Sequence, residues 1–229
     1  MSDDKLRELE RRWKETGSVE DEAAYLLERV RAGELTRERL ELVAYCGHRG
    51  AAVAIGTVGL GGNSGDLEAW AKGLSQWHEA LVQAGLVAAG LALRVWDSAA
   101  LNRVPGQALS EVQAWRADPT EAKRLAAEQA AEEAYLAAEP YYDAWVDEPV
   151  RGMGDAAVAT FCAAKACLST DQSQAQDLAL EAVLDAYNAL TMNTNRDCGS
   201  EVQEAIAAYL VEVALGDEPT DSDQGQSQC

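Results

Sequence analysis

Two histidines, five cysteines and 39 acidic side chains are the residues of this chain that could do chemistry, and their spacing decides what kind. His48 stands two residues after Cys46, but a zinc site needs two more ligands and the neighbouring sequence supplies none. His78-Glu79 would open a zinc-protease helix only if a second histidine followed, and none does. The Glu-x-x-His pairs of a di-metal carboxylate bundle are missing. No Gly-x-Ser-x-Gly turn occurs, and no Cys, His and acid set stands out for a thiol nucleophile. Cys162 and Cys167 are five apart in an apolar helical stretch, which suits core packing better than ligation. Gly56–Gly65 holds five glycines, but Asp66 and Leu67 follow where a phosphate loop places Lys and then Ser or Thr. The carboxylates are spread along what read as exposed helix faces, and abundance alone does not pair them for acid–base work. The expectation is a chain that is not an enzyme, with no catalytic residue, no cofactor and no metal.

The aromatic residues say more. Six tryptophans accompany a single phenylalanine. Trp13, Trp70, Trp77 and Trp96 keep helical phase with leucine neighbours, so core packing is their expected role. Trp145 differs: it lies between Pro140 and Pro149, beside Tyr141 and Tyr142 and among Asp143, Asp147 and Glu148. Amphipathic rings next to carboxylates suit recognition of arginine or lysine. Tyr141, Tyr142, Asp143, Trp145, Asp147 and Glu148 are therefore the expected partner-binding residues. The competing reading is an inter-helix loop pinned by its own aromatics.

The elements that would carry these residues are all helical. Ala and Leu dominate, and β-branched runs are nearly absent. Apolar residues at 3–4 spacing predict a first helix over Asp4–Thr16, ended by Gly17. Ser18 caps a second, ended by Gly33. Thr36 caps a third, closed by Gly47, and a short fourth covers Arg49–Ile55. Asp66 caps a long helical stretch to about Ala100, with a kink or break expected near Gly85; Gly85 and Gly90 leave room for a neighbouring helix. Pro105-Gly106 reads as a turn before a helix over 107–117. Asp118-Pro119 reads as cap and first position of the next helix, to Glu139. Asp155 starts an Ala-rich helix to Leu168, Ala175–Leu190 forms another, and Ser200 to Gln203 reads as the capping box of the last. The predicted fold is all-α, a multi-helix bundle or short helical-repeat array of eight to ten helices. Its expected parts are N-terminal hairpins over 1–56, a glycine-rich linker over 57–65, a main domain over 66–215 and a disordered acidic tail over 216–229.

Charge narrows the function. Nineteen basic residues face 39 acidic ones, a net of −20. Residues 1–50 are nearly balanced, at 10 basic and 12 acidic, whereas residues 51–229 hold 9 and 27. Such a charge repels phosphates and anionic lipid surfaces, so direct nucleic-acid and membrane binding are not expected. A basic protein partner is. The first fourteen residues are too charged for a signal peptide, and the longest weakly polar stretch, Leu81–Leu93, reads as too short to span a bilayer. A cytoplasmic protein with reduced thiols follows.

Two stretches resemble known groups. Leu9-Glu10-Arg11-Arg12-Trp13, the run Val19–Arg31, Gly33-Glu34-Leu35-Thr36 and Leu42–His48 resemble a helical-repeat segment common at the start of myxobacterial proteins. Residues 78–190 are similar in layout to the Imm5-like immunity proteins of bacterial toxin loci. The similarity lies in the helix around Ala88–Trp96, the segment Ala108–Pro119 with Trp115, and the Ala-rich helices Ala122–Ala138 and Asp155–Leu168. The second resemblance implies neutralisation of a toxin by direct binding. The first implies the alternative, a helical-repeat scaffold or regulatory adaptor in a bacterial defence or signalling system.

Overall fold

The computed structural model describes residues 2–57, 66–98, 103–141 and 148–216. Among them are eleven α-helices and no strand, the all-α fold the sequence predicts. They are α1 (Ser2–Thr16), α2 (Val19–Ala32), α3 (Arg37–Tyr45), α4 (Arg49–Ile55), α5 (Leu67–Gly73), α6 (His78–Ser98), α7 (Val104–Ala117), α8 (Glu121–Ala138), α9 (Glu148–Leu168), α10 (Gln172–Thr194) and α11 (Gly199–Leu215). The chain divides into two compact units, one of Met1–Asn63 with Ala207–Cys229, the other of Ser64–Ile206. Residues 58–65 of the expected linker and 217–229 of the expected tail lie outside the described residues.

In the first unit α1 packs on α2, and α4 on α2 and α3. Ser18 Oγ accepts the Asp21 N–H at 3.1 Å and Thr36 Oγ1 that of Arg39 at 3.1 Å, so both predicted caps form. Gly33 ends α2 in the left-handed conformation that glycine adopts most easily. His48 caps α4: its Nδ1 accepts the Ala51 N–H at 3.2 Å, leaving Nε2 3.6 Å from a Glu22 carboxylate oxygen. Ala23, Leu26, Leu35, Leu40, Val43 and Ala51 form the core. The Arg29 guanidinium donates to the Leu215 carbonyl at 2.7 Å, satisfying an open acceptor at the end of α11.

The second unit is built around α9, which packs against α6, α7, α8 and α10. Alanine makes this possible. Ala156, Ala157, Ala159, Ala163, Ala164 and Ala166 of α9 are buried, as are Ala175, Ala179, Ala182, Ala186 and Ala189 of α10. Small side chains let the helix axes come close, so contact is made largely through backbone and methyl groups. Glycine closes the gap further. A Cβ on Gly85 would lie 3.2 Å from the Ala179 carbonyl oxygen, and one on Gly152 3.0 Å from that of Ala189. Gly90, expected to act the same way, is exposed and has nothing within 4 Å of a Cβ.

Several boundaries move. The break in the 66–100 stretch falls at a 3₁₀ turn over Leu74–Gln76, and α6 runs through Gly85 unbroken because packing on α10 holds it. Pro105 sits in the first turn of α7, where its missing N–H costs nothing. Thr120, not Asp118, caps α8; the Asp118 carboxylate instead takes Lys123 at 2.8 Å. Helix α9 starts seven residues before Asp155, through Gly152 and Gly154, which therefore do not break it. Helix α11 begins at Gly199, so Ser200 lies inside the first turn and is no cap. Contrary to the reading of Leu81–Leu93, His78–Trp96 of α6 is long and apolar enough to cross a bilayer, with mean hydropathy 1.3. More than half of that span is buried inside the protein, as befits a core helix.

Candidate functional site

Most of the predicted partner-binding segment falls outside the described residues: Tyr142, Asp143, Trp145 and Asp147 all do, and Glu148 is described only as the first residue of α9. Tyr141 closes a 3₁₀ turn after α8 and sets its ring edge-on to Trp96, centroids 5.5 Å apart. Trp70 and Trp96 are buried in the core as their phase predicts, while Trp13 and Trp77 are only partly covered. Trp13 stacks on Tyr25 at 5.4 Å.

The structure brings together a group of residues that spacing along the chain does not. Helices α9 and α10 run antiparallel, since Gly152 meets Ala189 and Met192 while Cys162, further along α9, meets Glu181, earlier on α10. Asp155 and Cys162 are seven apart on α9 and share one face. Asp177, Glu181 and Asp185 recur every four residues and share one face of α10. Where these faces meet, the Cys162 thiol, a Glu181 carboxylate oxygen and an Asp185 carboxylate oxygen all lie within 4.8 Å of one another. Asp155, 7% exposed, acts on Asp185 from the same interface. Glu181 is exposed and Cys162 only 2% exposed, so the cluster runs from solvent into the bundle.

Its electrostatics are unusual. Helix α10 has no Lys or Arg in 23 residues, and acids four apart on one helix repel. Among the described residues no Lys, Arg or His pairs with Glu181 or Asp185. Asp185 Oδ2 is sealed from solvent and accepts no hydrogen bond. Burial, then Asp155 and Glu181, push the Asp185 carboxyl up to about 7. Burial, then Glu181 and Asp185 of α10, raise the Cys162 thiol well above its ordinary value. A thiol and carboxylates so placed can hold a proton near neutrality, or a cation.

Two clefts also lie on the second unit. One, of about 310 Å³, is lined by His78, Glu79, Trp115, Arg116, Cys167 and Ser169 among others. Arg116 pairs there with Glu79 and reaches the Cys167 sulfur at 3.7 Å, while His78 Nδ1 is buried without a partner. Burial raises the Cys167 thiol and outweighs the opposing pull of Arg116. The other cleft, of about 430 Å³, is lined by Asp66, Leu67, Glu68, Leu184, Tyr187, Asn188, Asp197 and Gly199.

Sequence reasoning treats Cys162 as core, and it is indeed buried; what it misses is the acids opposite. The signal within reach was the base-free acidic repeat on α10. Reading Asp155 as a helix start hides its link to the cluster. Comparison with protein-family models, with curated proteins and with solved structures finds no match, so the functional reading rests on the chain's own geometry and charge.

Proposed function

We propose that this chain is a non-catalytic, cytoplasmic protein that binds a basic protein partner and neutralises or regulates it, in the manner of an immunity or antitoxin factor. One observation carries the reading: acid in the Ser64–Ile206 unit goes uncompensated. That unit holds 22 acidic residues against 9 basic ones, a net of −13. Six of the nine bases (Lys72, Arg116, Lys123, Arg124, Lys165 and Arg196) are already engaged by local acids. The remaining field is negative and steers a cationic partner toward the surface. Tyr141, Tyr142, Asp143, Trp145, Asp147 and Glu148 keep their proposed role as contact residues. The Asp66–Asp197 cleft adds a concave acidic patch flanked by Tyr187, of a size to take an arginine or lysine side chain.

The test is recovery of the tagged full-length chain from its native cells at low and moderate salt. A basic protein should co-purify and should be lost when Asp143 and Asp147 are both changed to Lys, or when Glu68 is. Recovery of no partner, or of one that all these variants retain, would overturn the reading. The short, consecutively packed helices α1 to α4 favour the adaptor alternative, which predicts several partners instead of one.

A further inference from the structure

We propose that Cys162, Glu181 and Asp185 form a binding site for a divalent cation of the zinc class between α9 and α10. The proposal is independent of the partner-binding reading and stands on geometry. Three ligand atoms from two packed helices converge within 4.8 Å. Around zinc, at ligand distances of about 2.0–2.3 Å, tetrahedral neighbours stand about 3.5 Å apart, so closing the site needs movements of about an ångström. Glu181 is exposed and can swing inward, while Cys162 and Asp185 are held by the packing of buried Ala159, Ala163, Ala182 and Ala186 beside them.

The second observation is the orphaned oxygen. Asp185 Oδ2 is shut off from water and unbonded, although a carboxylate in that position normally accepts hydrogen bonds or takes a cation. On α8 a base lies between crowded acids, where Arg124 bridges Glu121 and Glu128. On α10 no such base exists, and the bundle interior instead offers a thiol. One thiolate with two carboxylates is a donor set of mixed softness, which zinc accepts and magnesium or calcium does not. On binding, the thiol and any protonated carboxyl release their protons to solvent as the metal bonds form. The fourth position opens on the Glu181 side, toward water, which also gives the ion its way in. The local charge repulsion would be relieved by the ion.

Cobalt(II) titrated into the full-length, chelator-treated protein is the probe. One equivalent should bind and produce the near-ultraviolet absorption of a sulfur–cobalt bond, which zinc then displaces. Cys162→Ser should abolish that absorption, whereas Cys167→Ser, Cys46→Ser and Cys229→Ser keep it. Glu181→Gln, at an exposed position, should weaken binding without harming the fold. Absence of cobalt binding to the wild type would sink the proposal. So would an absorption that survives Cys162→Ser, or one that moves with another cysteine.

Discussion

A carboxyl group held near neutrality and one held below the ordinary range answer opposite pH changes, and this chain has both kinds. Asp185 keeps its proton up to about pH 7 in the folded state but only to its ordinary 3.8 when unfolded. Its contribution to stability is therefore whole below about pH 4 and is lost as pH rises through 7. In metal-free protein the loss should be on the order of 2–4 kcal/mol between pH 4 and 8. Denaturant midpoints of wild type and Asp185→Asn across that range check it: the variant, a neutral isostere, should be the more stable at pH 8 and show the shallower slope. Parallel curves would refute the assignment. Asp21 behaves the other way. Hydrogen bonds from Arg12 and then from Thr16, at 2.7 Å, hold its carboxyl below the usual range. That support exists above about pH 4 and disappears as pH falls through the folded value. Acid titration read by fluorescence of Trp13, which stacks against α2 through Tyr25, should show a change below about pH 4 that Asp21→Asn already displays at neutral pH. A Trp13 signal that is indifferent to Asp21 would show that this contact does not hold α1 to α2.

At the scale of helices the useful contrast is between two glycines in similar backbone and different surroundings. Gly90 of α6 is exposed with open space around it, so Gly90→Ala should stabilise the protein by about 0.8–1 kcal/mol through helix propensity alone. Gly152 of α9 meets the α10 backbone at Ala189, where a methyl group at 3.0 Å can be fitted only by parting the two helices. Gly152→Ala should cost about 1–3 kcal/mol, as overpacking does. Thermal melts of the two single variants give the comparison, and equal shifts would mean that the α9–α10 approach is looser than the structure has it. The same pair explains what the sequence reveals and what it hides. Helix identity, the Ser18, Thr36 and Asp66 caps and the Gly17, Gly33 and Gly47 stops are local, encoded within a turn of where they act. The start of α9 is not. Gly152 and Gly154 read locally as breakers, yet α9 runs through both, with Gly152 against the α10 backbone, and this puts Asp155 inside a helix and its side chain in the core. The acid–thiol cluster depends on the same step. Its four residues are at most 30 positions apart, but their meeting is a property of the antiparallel α9–α10 pair and of the alanines that let it close.

Over the whole molecule, salt should act on stability and on association in opposite directions. A net charge of −20 makes the compact state repel itself, and added ions screen that repulsion. Many of the ion pairs that salt also weakens are exposed ones three or four residues apart, such as Arg11 with Glu8 and Glu15, each worth about 0.3–0.5 kcal/mol at best. Repulsion among 20 surplus acids outweighs them. Raising potassium chloride from about 0.02 to about 0.3 M, which shortens the screening length roughly fourfold, should therefore raise the melting temperature by a few degrees. If the acidic surface is the one that docks a basic protein, the same change should slow formation of the complex, because steering acts over distances that salt screens. The dissociation rate should change far less, since contacts once made are short-ranged. Stopped-flow association and thermal melting across one salt series measure both effects on the same sample. A melting temperature that rises while the association rate stays flat would mean that the charge serves the folded chain and its solubility alone, and that the partner is held by something other than acid.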